Sequence, residues 1–78
     1  MSSPDDVSAM IEEAIQAVPG SVEVTTQLGN LDGWDSMGLV IFIELVQDRT
    51  GAELAVHDLR ACATPDEVGA LIERVLSA

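Results

Sequence analysis

Apolar positions recur at helical spacing in three stretches of the chain, separated by one long segment without that rhythm and one short one. In the first, Val7, Met10, Ile11, Ala14, Ile15 and Val18 line one face of a helix. Ser3-Pro4-Asp5-Asp6 opens it with a cap residue, a proline at the first helical position and two carboxylates where the helix dipole favours negative charge. Pro19-Gly20 closes it, so the pattern predicts a helix over residues 4 to 18.

Residues 20 to 34 lack helical periodicity. Val22 and Val24 alternate with polar neighbours as in a short strand, but no second strand exists for it to pair with, and Gly29-Asn30-Leu31-Asp32-Gly33 is turn chemistry. The expectation is a long loop, pinned to the core by Leu28, Leu31 and Trp34. Structureless loops of ~15 residues are uncommon in small domains and usually have a functional reason.

The next helix is predicted from Ser36 to about Thr50, capped by Asp35 and stopped by Gly51. At roughly 100° per residue, Leu39, Phe42, Ile43, Val46 and Thr50 form its core stripe. Met37, Val40, Ile41, Glu44, Gln47 and Asp48 fall opposite, an acidic face carrying three sizeable apolar groups. Val56 to Arg60 reads as one or two helical turns held by packing. Thr64-Pro65-Asp66-Glu67 reads as a capping box: Thr64 bonds the Glu67 amide and the Glu67 carboxylate reaches back to the cap. Val68, Leu71, Ile72, Val75 and Leu76 then complete an amphipathic helix. The predicted fold is all-α, a small four-helix bundle of three main helices and a short one, with a long first loop. Residues 1–78 read as a single domain.

Charge narrows the partners. Fourteen acidic residues face three arginines, Arg49, Arg60 and Arg74, with no lysine, for a formal net charge of -11. Nucleic-acid backbones and anionic membranes are bound through Lys and Arg, so both are poor partners, whereas a basic patch on another protein is a good one. Cys62, the sole cysteine, has no disulfide partner, and with the sole histidine, His57, it supplies too few ligands for a structural metal site. No leader or membrane-length apolar run is evident, and the chain reads as a cytoplasmic monomer.

Ser36 holds the candidate chemistry. At a helix N-terminus unpartnered N–H groups and a positive dipole end favour a phosphodiester on such a hydroxyl, although local physics alone favours a plain helix cap at Asp35 or Ser36. Gly38 weakens the first turn by ~0.5–1 kcal/mol relative to Ala, which suggests that a side chain is omitted there to make room for an attached group or a docking enzyme. A hydrolase nucleophile is disfavoured, because Trp34 occupies the first glycine place of the nucleophile elbow and His57 has no partner to orient it.

The run Leu31-Asp32-Gly33-Trp34-Asp35-Ser36-Met37, followed by an apolar and acidic helix, resembles the acyl carrier protein family over essentially the whole chain. That resemblance implies a discrete carrier without catalytic activity of its own. A phosphopantetheinyl transferase would use coenzyme A to attach 4′-phosphopantetheine at Ser36, with Asp35 as the motif's aspartate. It further implies that Met37, Val40, Ile41, Glu44, Gln47 and Asp48, with Asp58 on the short helix, dock acyl-loading, acyl-modifying or condensing enzymes through their basic patches. Ile41 on that face and Thr50 on the core stripe depart from housekeeping fatty-acid carriers and point to polyketide or other specialised assembly. An aminoacyl or peptidyl carrier, and an unmodified acidic helical module, are the alternatives.

Overall fold

The computed structural model describes residues 4–77, in which four helices and one 3₁₀ turn follow one another and no strand occurs. The expected cap at Ser3 lies outside the described residues. Helix α1 spans Pro4–Ile15, α2 Ser36–Thr50, α3 Val56–Arg60 and α4 Pro65–Ser77, with the 3₁₀ turn at Leu28–Asn30. Helix α1 packs on α2 and α4, and α3 bridges α2 and α4. Val7, Met10, Ile11 and Ala14 from α1 meet Leu39, Phe42 and Val46 from α2, Leu59 from α3, and Val68, Leu71 and Ile72 from α4. This is the helical bundle that the periodicity predicts.

Helix α1 ends three residues earlier than the sequence pattern suggests. Gln16 takes a left-handed conformation with φ 58°, and the Ala17 and Gln16 N–H groups donate to the Glu12 and Glu13 carbonyls at 2.8 and 3.4 Å. This is the crossed pair of bonds that closes a helix through a left-handed residue. Val18 precedes a proline, which disfavours helical backbone there, and at 73% exposure it gains nothing from an added turn.

The long loop is strapped down along its length. The Glu12 carboxylate, buried in α1, accepts from the Gly20 and Val22 N–H groups at 2.9 and 2.8 Å, which turns the chain back and buries Val22. Leu28 is fully buried, and its N–H donates to the Ala63 carbonyl at 2.8 Å. Leu31 and Trp34 are half-buried against the core, and the Trp34 ring meets Phe42 edge-on with centroids 5.4 Å apart. The three pinning residues expected from sequence therefore all act as pins, while Glu12 drew no notice there.

Helix ends follow their sequence signals closely. Gly51 closes α2 at φ 84°. Thr50 is half-buried and works as a polar end-piece: its hydroxyl donates to the Val46 carbonyl at 2.8 Å and accepts from the Ala52 N–H at 3.1 Å. At α4 the Thr64 hydroxyl accepts from the Glu67 N–H at 3.4 Å. The Glu67 carboxylate reaches one residue further back than the capping box implies, accepting from the Ala63 N–H at 3.3 Å.

Candidate functional site

Asp35 is the cap of α2. Its backbone is extended, and its Oδ1 accepts from the Met37 and Gly38 N–H groups at 3.1 and 3.2 Å. The cap and the hydroxyl are therefore two different residues. Ser36 is the first helical residue and is exposed, its Oγ accepting a hydrogen bond from Arg60 Nη2 at 3.0 Å.

Gly38 has a structural cause that the sequence reading did not supply. A Cβ at this buried position would stand 1.9 Å from the Gly33 carbonyl oxygen and 3.3 Å from Ile15 Cγ2. The omitted side chain thus makes room for the loop's own backbone, and no space for an attached group or a docking enzyme opens there. Gly33 is itself committed, with φ +91° and a would-be Cβ 3.1 Å from Ile15 Cβ. Together the two glycines let the loop lie flat on the first turn of α2 and hold Asp35 and Ser36 at its end.

Beside Ser36 opens a groove of about 510 Å³, lined by Trp34, Leu39, Arg60, Ala61, Cys62 and Ala63 among others. Burial pushes the Cys62 thiol pKa up, the Glu67 carboxylate adds to that and Arg74 opposes it, so the thiol stays protonated at neutral pH. Arg60 is the residue that sequence reasoning missed. It is one of three basic residues in an acidic chain, but it lies 24 positions from Ser36 and no local pattern links them.

The face assigned from helical spacing is turned outward as expected. Met37, Val40 and Ile41 are 74%, 47% and 45% exposed, and Glu44, Gln47 and Asp48 are exposed around them. Asp58 is exposed and sits 3.2 Å from His57. It borders a separate groove with Glu67, Leu71 and Arg74 and does not join the one at Ser36. Among the described residues there is no group of His, Cys, Asp and Glu that could hold a metal ion, and no helix is long and apolar enough to cross a membrane.

No curated protein and no solved structure shows a significant match to the chain. A family model described as the phosphopantetheine attachment site matches residues 5–72, which run from α1 through the loop, α2 and α3 into α4. With a match over most of its length, the chain belongs to the phosphopantetheine attachment-site family, whose members carry a covalently attached 4′-phosphopantetheine.

Proposed function

We propose that Ser36 is the attachment residue and that residues 1–78 act as one acyl carrier domain in polyketide or other specialised-metabolite assembly. The observation that carries this reading is the division of labour at the head of α2. Asp35 supplies the cap, so the exposed Ser36 hydroxyl is left available for chemistry. The surroundings fit the group: a hydroxyl open to solvent, a cation 3.0 Å away and a groove beside it. When bound, the arm supplies a thiol that holds acyl cargo as a thioester.

The chain's own residues do the rest. In the transfer reaction Ser36 Oγ attacks the coenzyme A phosphorus bearing the pantetheine, loses its proton and displaces adenosine 3′,5′-bisphosphate. The strapped loop and Asp35 keep that hydroxyl at a fixed place for the transferase. Met37, Val40 and Ile41 offer a small apolar centre for docking, and Glu44 and Asp48 rim it with the negative charge that attracts a basic patch. Gln47 extends the rim, and Asp58 on α3 is an extra contact. Such docking is exchangeable, and tethering raises the cargo's effective concentration at each enzyme in turn.

Incubation with coenzyme A and a promiscuous phosphopantetheinyl transferase tests the reading: one phosphopantetheinyl mass should appear on the wild-type chain and none on Ser36→Ala. Loading of the product by acyltransferases, with failure of amino-acid adenylating enzymes to charge it, is the expected cargo profile. The opposite profile would place the chain with aminoacyl carriers.

A further inference from the structure

We infer that Arg60 is the positioning residue for the prosthetic arm, its guanidinium holding the phosphodiester on Ser36 and setting the arm's course into the groove that Ser36 and Arg60 both line. The inference rests on Ser36 being the attachment residue.

Electrostatics at the head of α2 call for such a cation. The first free N–H groups of the helix would ordinarily meet an anion, but those of Met37 and Gly38 already serve the Asp35 carboxylate. A phosphodiester on Ser36 would thus arrive beside a fixed negative charge with those donors occupied. Among the described residues Arg49 pairs with Glu13, whereas Arg60 has no carboxylate partner in a chain of 14 acidic residues, and it donates to Ser36 Oγ at 3.0 Å. Esterification makes that Oγ a poorer acceptor and places non-bridging phosphate oxygens two bonds further on, through the phosphorus, within reach of the same guanidinium. The planar fork of arginine suits two such oxygens at once.

Position gives the contact a direction. Arg60 ends α3, and it lines the groove at Ser36 together with Ala61, Cys62 and Ala63 and with Trp34 and Leu39. A phosphate held at Arg60 starts the arm along this groove, which Met37 and Val40 do not line, leaving that apolar face open to an enzyme.

The test compares wild-type, Arg60→Gln and Arg60→Lys chains, each converted to the holo form and checked by intact mass. Three readouts apply: the phosphorus resonance of the phosphodiester, contacts between the arm's geminal methyl protons and the Leu39 and Ala63 methyls by NMR, and the apo amide spectrum. Arg60→Gln should move the phosphorus resonance and cut the docked-to-free ratio of the arm by roughly 2- to 5-fold, the range expected for losing an exposed ion pair. The apo spectrum should keep its fold, Arg60→Lys should restore part of the contact, and added salt should shift the wild type toward the Gln variant. Holo Arg60→Gln with the wild-type phosphorus shift and the same methyl contacts overturns this inference alone. A wild-type chain that gains no mass on Ser36 overturns the attachment reading, and this one with it.

Discussion

Replacing Gly38 by alanine separates two accounts of this residue by the sign of the effect. If the glycine merely weakened the first turn of α2, alanine would stabilise the protein by ~0.5–1 kcal/mol through helix propensity. The structure gives the opposite sign. A Cβ placed 1.9 Å from the Gly33 carbonyl oxygen must be relieved to at least 3.0 Å, so helix and loop must part by about 1.1 Å, the difference of those two distances. The obstacle is backbone, and its own residue cannot easily move, because Gly33 sits at φ +91° with Ile15 behind it. Overpacking of this kind costs typically ~1–3 kcal/mol, and a backbone obstacle belongs at the upper end. After the propensity gain is subtracted, a net loss of about 2 kcal/mol remains, which in a domain of this size lowers the melting temperature by roughly 8–16 °C.

Thermal and urea unfolding followed by circular dichroism would measure the loss, with Gly69→Ala as the internal control. Gly69 is also helical, yet its would-be Cβ meets only Val7 Cγ2 at an ordinary 3.5 Å, so alanine there should stabilise by ~0.5–1 kcal/mol. A Gly38→Ala protein as stable as wild type or more so would refute the packing argument.

Other substitutions probe the same framework. Asp35→Ala removes the acceptor for the Met37 and Gly38 N–H groups and should cost ~1 kcal/mol in urea unfolding, while Asp35→Asn, an equally good cap, should cost far less. Glu12→Ala strands the Gly20 and Val22 N–H groups and should cost ~2–4 kcal/mol, with faster amide exchange at Val22; protection there equal to wild type would contradict the strap. The Cys62 thiol, with its folded-state pKa raised by burial, should alkylate slowly at neutral pH, and more slowly than the arm's thiol in the holo chain. Because folding favours its protonated form, the associated stability is fully present below the unfolded thiol's pKa and is lost as pH rises through the folded one; Cys62→Ala should remove that alkaline slope.

How much of this was legible beforehand depends on the range of each interaction. Local signals served well: Asp35, Gly51 and Thr64 stand at the helix ends they announce, and α3 occupies the five residues expected of it. Helical spacing alone also separated the Met37, Val40 and Ile41 face from the Leu39, Phe42 and Val46 stripe. Reasoning failed where a residue departs from the usual role of its type or answers to a partner that helical spacing does not link to it. Gln16 ends α1 with a left-handed residue that is not glycine, Glu12 serves a loop 8 and 10 residues on, and Gly38 answers to the backbone of Gly33. Thr50 has local partners, but its place on the core stripe concealed a hydroxyl bridging Val46 and Ala52. The Arg60 contact with Ser36 spans 24 positions and two helices, beyond any periodicity.

The central claim, that Ser36 is where the arm is attached, is tested most directly by peptide-resolved mass spectrometry after incubation with coenzyme A and a promiscuous phosphopantetheinyl transferase. The account predicts a single phosphopantetheinyl group on the fragment containing Asp35-Ser36-Met37, absent from Ser36→Ala although that variant, altered only at an exposed side chain, stays folded. An unmodified wild-type chain, or a group that persists in Ser36→Ala or maps to another residue, would contradict it.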